Sequence, residues 1–235
     1  MSGPTAQKNT DAYMVAPVPE EIQRHTDSVL SRNDACPVTD CPVCHQRPAG
    51  FSRHDVRRRS LLCVTEGIVR RLVTFLVRWL CPLCNHTFTV YPRFMLRYKR
   101  YVADTVLDKS TAYVEDHAPT YRGTIKEGPL PVAYDATPGS LDDGRQLAPS
   151  TLHRWLSTLG GLREILRNAF AALKAACPGT NVFRVAPMIA PRKYRSQPRR
   201  LRLQAAATLL RVDREFTAAF TASIFPHFAT SCGWT

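Results

Sequence analysis

The 235 residues hold 32 Lys+Arg against 19 Asp+Glu, for a formal charge of +13, and 44% of them are hydrophobic. That is enough apolar material for one large domain or two small ones, which excludes global disorder. The charge favours a polyanionic partner, and a ribosomal, nucleic-acid or anionic-membrane surface would fit its sign.

The charge is segregated. Residues 51–101 carry eleven Lys/Arg against two acids, residues 102–149 carry eight acids against four bases, and residues 192–214 carry eight bases against one acid. Two basic surfaces separated by an acidic segment are expected, the bland alternative being a solvated charged exterior. The most apolar run, LVTFLVRWLCPL, is short and contains Arg78, so no stretch reads as a membrane span. The first residues lack a basic region followed by an apolar one. Together with the CxxC pairs, this gives a cytoplasmic, nucleoid-associated expectation.

Residues 1–33 show no sustained period and read as a mostly loose arm with a short helix near PEEIQRH. A ribbon region over 34–96 follows. RRSLLCV (58–64), IVRRLVTFLVRWL (68–80) and HTFTVYP (86–92) read as strands from their β-branched and aromatic alternation, with Gly67 at the first turn.

Cys-x-x-Cys occurs at Cys41/Cys44 and again at Cys81/Cys84. Two thiolates in a tight turn reach one ion, and two such turns complete the tetrahedral set that zinc prefers. The order pair, strands, pair, strand predicts a zinc ribbon with Cys41, Cys44, Cys81 and Cys84 as ligands of a structural Zn2+. A redox pair would sit between a strand and a helix of a βαβ unit, and neither pair does. A catalytic zinc keeps an open position, which four thiolates do not leave. Cys36, His45, His54 and His86 are nearby competitors. Cys63, Cys177 and Cys232 read as small apolar residues.

Residues 97–160 read as a helix-turn-helix region. The segment 97–117 is a helix with an approximate stripe of Tyr98, Tyr101, Val102, Thr105, Val106 and Tyr113, and TYRGTIKE is a short second helix. The Gly-, Pro- and Asp-rich stretch 127–149 is a long loop. PSTLHRWLSTL then reads as a helix capped by Ser150 and ended by Gly160-Gly161. Leu152, Trp155, Leu156 and Leu159 face inward. Ser150, Thr151, His153, Arg154 and Ser157 remain to read base edges or grip phosphate, unless this is an ordinary amphipathic surface helix.

Residues 161–235 form a C-terminal helical region: one amphipathic helix over 162–177, a basic Pro-rich extended segment (185–200), and a last helix over 201–225 with Leu209, Val212, Phe216, Ala219, Phe220 and Ile224 on one face. Phosphate contacts are expected from Arg57, Arg58 and Arg59, from Arg97, Lys99 and Arg100, and from Arg199, Arg200 and Arg202. The fold class is therefore α+β: a small antiparallel zinc ribbon followed by an all-α helix-turn-helix and C-terminal helices.

CPVC, then RRLVTFLVRWLCPLCNHTFTVYPRFMLRYKRY, then PSTLHRWL resemble the zinc-ribbon and helix-turn-helix front part of bacterial insertion-sequence transposases. The closer resemblance is to stand-alone mobile-element proteins that carry this region as a domain of unknown function. It covers roughly residues 36–160. It implies a sequence-specific binder of double-stranded DNA, acting as a transposition accessory beside a transposase or as a regulator, with residues 150–157 in the groove. Full transposases continue into a fold carrying three carboxylates for two metal ions. After residue 150 this chain has only Glu164, Asp213 and Glu215 as acids, so no enzyme activity is expected. The other reading is an RNA- or ribonucleoprotein-binding ribbon stacking bases on Tyr91, Phe94, Tyr98 and Tyr101.

Overall fold

The computed structural model describes residues 18–65, 68–97, 99–116, 120–125, 147–180 and 196–225. The expectations for residues 1–17, the Gly67 turn, Tyr98, most of the 127–149 loop, the segment 181–195 and Cys232 lie outside these. Among the described residues the chain is α+β. A three-stranded antiparallel sheet, ordered β1-β2-β3, is built from β1 (Ser52–Thr65), β2 (Ile68–Leu80) and β3 (Thr87–Thr89). Six helices accompany it: α1 (Val18–Leu30), α2 (Ala103–Glu115), α3 (Tyr121–Ile125), α4 (Pro149–Leu159), α5 (Arg163–Ala176) and α6 (Gln197–Phe220).

The first correction concerns the N-terminal arm. Residues 18–30 are a 13-residue helix that packs on β2. Ile22 and Val29 are buried, Thr26 Oγ1 donates to Thr74 Oγ1 at 3.2 Å, and His25 Nε2 donates to the Phe75 carbonyl at 3.0 Å. β3 pairs with β2 only at residues 78–80. The remainder of that β2 edge would present unpaired carbonyls and N–H groups. Helix α1 packs against part of it, and His25 takes the Phe75 carbonyl.

β1 and β2 run in register from Thr65↔Ile68 to Asp55↔Arg78, with a bulge between Arg53 and Asp55. Both sides of β2 are apolar and both are used. Leu72 and Leu76 join Leu61, Phe94 and Val102 in one cluster, while Phe75, Val77 and Trp79 join Phe88 and the four CxxC cysteines in another.

Helix α2 starts at Ala103, six residues later than its periodicity suggests. The preceding residues are held by the sheet. Leu62 N–H donates to the Arg100 carbonyl at 2.7 Å, Val102 N–H donates to the Leu62 carbonyl at 2.8 Å, and Ala103 N–H donates to the Phe94 carbonyl at 2.9 Å. Sheet pairing overrides the local helical pattern here. Val64 and Tyr101 then pack against the helical core.

That core forms where α4, α5 and α6 meet α2. Leu152, Leu156, Leu173, Leu203 and Leu209 are fully buried, and α4 turns inward the four residues its spacing predicts. Three details differ from expectation. The residue before α4 is Ala148, Pro149 occupies the first helical turn, and Ser150 is already inside the helix with no side-chain cap bond. Residues 197–200 belong to the first turn of α6, where Pro198 is accommodated because an N-terminal N–H needs no helical partner. The helix stops at Phe220, with Thr221 left-handed at φ 54°. Asp213 then accepts from Ser223 Oγ at 2.8 Å and from Ile224 N–H at 2.9 Å, which folds the chain back and buries Ile224. Ala219 is exposed, and the Phe220 ring lies against Phe216.

Candidate metal centre and basic surface

The two CxxC turns have the same local geometry. Cys41 N–H donates to the Gln46 carbonyl and His45 N–H to the Cys41 carbonyl, both at 2.9 Å. Cys81 N–H donates to the His86 carbonyl at 3.0 Å and Asn85 N–H to the Cys81 carbonyl at 2.9 Å. The residue after each pair, His45 or Asn85, is left-handed at φ 58° or 57°. Asn and His tolerate that conformation better than most residues.

The turns face each other. Cys41 Sγ lies 3.8 Å from Cys84 Sγ, Cys44 Sγ lies 4.0 Å from Cys81 Sγ, and all four sulfurs fall within 4.8 Å of one another. A tetrahedral ion with metal–sulfur bonds of about 2.3 Å needs sulfur separations of about 3.8 Å. A disulfide would need about 2.05 Å. The cysteines are therefore placed to hold one metal ion together. Cys41 and Cys81 are buried, and the Val43 N–H points at Cys41 Sγ at 3.4 Å. Burial resists charge on Cys81, but the N–H groups of Cys84 and Leu83 outweigh it, with help from the Cys41 and Cys84 thiols, and hold it down to about 7. The His86 N–H favours a Cys84 thiolate, yet burial and the thiols of Cys81, Cys44 and Cys41 push it up to about 12. Four thiols this close compete for protons, and a divalent cation relieves the competition.

The nearby competitors are placed elsewhere. Cys36 packs beside the cluster as a partly buried thiol raised by burial, outside the group of four sulfurs. His86 Nδ1 donates to the Cys84 carbonyl at 2.8 Å, and His45 and His54 are exposed. Cys63 is buried in the sheet core, and Cys177 follows the end of α5.

The basic residues form two groups. Arg57, Arg58 and Arg59 are exposed on β1, and Arg57 pairs with Asp55 at 3.0 Å. The second group is assembled by the last turn of α4. Lys99 Nζ donates to Thr158 Oγ1 at 2.8 Å, and Arg199 Nη1 donates to Ser157 Oγ at 2.7 Å. Two basic tracts a hundred residues apart in sequence are thus tied to adjacent residues of one helix. Both cations sit where a helix C-terminus attracts positive charge. Arg100, Arg200 and Arg202 are exposed, and Arg97 is half-buried.

Gly160 sets this junction. Its φ of −69° is open to any residue, but a Cβ there would come within 2.1 Å of the Arg202 carbonyl. The glycine that reads as a helix terminator is there because the α6 backbone passes against it.

The outward face of α4 is partly occupied. His153 meets the Tyr121 ring edge-on at 5.7 Å, and Ser157 donates to the His153 carbonyl while receiving Arg199. Arg199 also donates from Nη2 to the Tyr121 hydroxyl and lies over that ring. Arg154 folds back onto Ser150, and Thr151 is half-buried. Partial burial and then the charges of Arg199 and Arg154 lower the His153 pKa. Tyr121, stacked on Tyr113 at 4.6 Å, holds this face together. Of the described aromatics expected to stack RNA bases, Phe94 is 2% exposed, Tyr91 is half-buried against the sheet core, and the half-buried Tyr101 meets Trp155 edge-on.

Among the described residues no helix is long and apolar enough to cross a membrane. No family model, curated protein or solved structure matches this chain.

Proposed function

We propose that this chain is a zinc-stabilised, sequence-specific binder of duplex DNA that serves a mobile genetic element as a transposition accessory or regulator. What supports the reading most directly is the convergence of Lys99 and Arg199 on Thr158 and Ser157 at the end of α4, where Arg202 also passes against Gly160. The cations there would meet a phosphate backbone, and of the α4 residues Ser150, Thr151, His153 and Arg154, the exposed Ser150, His153 and Arg154 would be turned toward bases. The remaining helix-turn-helix assignment belongs to the same reading, with α3 as the short helix packed against α4.

The metal's part is structural. Four thiolates fill a tetrahedral zinc ion, so it would hold the two turns and the end of β2 without taking a substrate. The chain then acts by binding, and no enzymatic step is assigned to it.

The test is fluorescence anisotropy of zinc-loaded protein with a random duplex pool, followed by selection and sequencing of the bound fraction. Binding should weaken steeply with salt, losing about 0.9 of logarithmic slope for each phosphate contact removed. Arg100→Ala, Arg200→Ala and Arg202→Ala should each flatten that slope while leaving the fold intact. Absence of duplex binding at about 50 mM salt would overturn the reading.

A further inference from the structure

Among the described residues, the longest stretch of sheet edge without a strand partner is on β1. The β2 edge beyond β3 meets α1 at Phe75, whose carbonyl accepts from His25, and the outer edge of β1 is taken at Leu62 by the strand-like residues 100–102. Leu62 points both its N–H and its carbonyl outward, to Arg100 and Val102. Strand backbone alternates with a period of two, and β1 pairs with β2 without interruption from Asp55 to Thr65. The N–H and carbonyl of Arg58 and Ser60 therefore also point outward. No described group bonds them. Residues 56–60 are all exposed.

This edge is strongly basic. Side chains of Arg57 and Arg59 lie on the side of Thr74 and Leu76, and that of Arg58 lies on the side of Phe75. Asp55 neutralises Arg57, but no described acid pairs with Arg58 or Arg59.

We propose that the β1 edge at residues 56–60 is a docking site for an extended acidic segment of a second protein, added to the sheet as a further strand. The backbone chemistry selects the class. The edge alternates donors and acceptors, and an extended peptide satisfies both, whereas a phosphodiester chain brings acceptors to its phosphates and leaves the edge carbonyls unpaired. The arginines select acidic side chains on the added strand through cross-strand pairing on both faces. Residues 100–102 already use the same edge in a parallel bridge at Leu62↔Tyr101, so its geometry is ready for a partner. The proposal does not depend on duplex binding, which uses the surface at the end of α4.

The probe is a fluorescein-labelled decapeptide alternating Glu with Val, titrated into the full zinc-loaded chain. Saturable binding is expected, with at least a tenfold loss in Arg58→Pro. That change removes an outward N–H while leaving the β1–β2 hydrogen bonds in place. Arg58→Glu with Arg59→Glu should weaken binding comparably, and both variants should keep their zinc content. Amide hydrogen exchange on the unmodified chain gives a readout free of any folding defect: the Arg58 and Ser60 amides should slow when the peptide is added, and those of Arg57 and Arg59 should not change. Peptide binding that leaves the Arg58 and Ser60 amides unprotected would overturn the proposal. So would failure of the peptide to bind, and so would duplex DNA as the ligand that both variants lose.

Discussion

Lys99 Nζ donates to Thr158 Oγ1 at 2.8 Å, and through this bond the segment leaving the sheet is fixed to the last turn of α4. Burial lowers the Lys99 pKa, and the bond to Thr158 gives the ammonium a compensating partner. Lys99→Met should keep most of the packing of the side-chain stem while removing the charge. On the duplex reading it should weaken DNA binding across sequences and lower the salt slope by about 0.9. Thr158→Val should leave the charge but release it, changing affinity less than Lys99→Met does. Anisotropy titrations at several salt concentrations, with unfolding curves for both variants, test the pair.

Metal removal should act on one part of the molecule. A structural zinc contributes on the order of 10–16 kcal/mol to the structure that binds it, comparable with the whole stability of a domain. Chelation should therefore unfold the two cysteine turns and the end of β2. Trp79, packed with Cys41 and Cys81, reports this as a change in fluorescence, while the far-ultraviolet helix signal from α4, α5 and α6 should largely persist. Elemental analysis should give one zinc per chain, and Cys81→Ser should reduce it. The metal-free Cys84 thiol, pushed up to about 12, holds its proton at neutral pH. Zinc must displace that proton, so apparent affinity should fall as pH is lowered, and loading should release protons into a weakly buffered solution.

Gly160 gives a sharper mutational contrast. In Gly160→Ala the new Cβ would meet the Arg202 backbone carbonyl at 2.1 Å, and backbone moves less readily than a side-chain tip. Overpacking of this kind costs about 1–3 kcal/mol. In Gly161→Ala the nearest atom is the Thr158 carbonyl at 3.2 Å, and at Gly50 nothing lies within 4 Å. Urea unfolding should rank the losses as Gly160, then Gly161, then Gly50. Equal losses at 160 and 161 would mean that helix termination, and not the α4–α6 contact, is what the glycine supplies.

These residues also show what the sequence made legible. The CxxC spacing identified the four sulfurs because the chemistry is local and the two turns are nearly the same six-residue unit. The extent of β2 and the inward face of α4 followed from alternation and helical spacing. Long-range partners carried no such signal. Nothing near Lys99 announces Thr158, and nothing in the Gly-Gly pair separates a close approach from a helix end. The start of α2 was misread because residues 97–102 have helical spacing, while their hydrogen bonds are taken by Leu62 and Phe94. Ser150 was misread as a cap because Ala148 lacks a capping side chain and Pro149 opens the helix without one.

Helix α1 is longer and more firmly packed than the short helix near PEEIQRH suggests, since its weak period conceals three anchors: Ile22, Thr26 and Val29 at one helical face. If α1 is part of the folded unit, Ile22→Ala should cost about 2–5 kcal/mol through the cavity it leaves beside Leu61 and Leu76. Glu21→Gln removes the charge from a pair with Arg93 at 2.5 Å; the arginine side chain is 58% exposed but the carboxylate only 16%, so the loss should exceed that of a fully exposed pair, at about 1.5–3 kcal/mol. His25→Ala withdraws the donor from the Phe75 carbonyl and reopens the β2 edge at that point. Its signature should be aggregation on mild heating as well as lower stability, because an uncovered strand edge is a template for another chain. Urea unfolding and light scattering measure the two effects separately. An Ile22→Ala variant as stable as the parent would return residues 18–30 to the status of a loose arm.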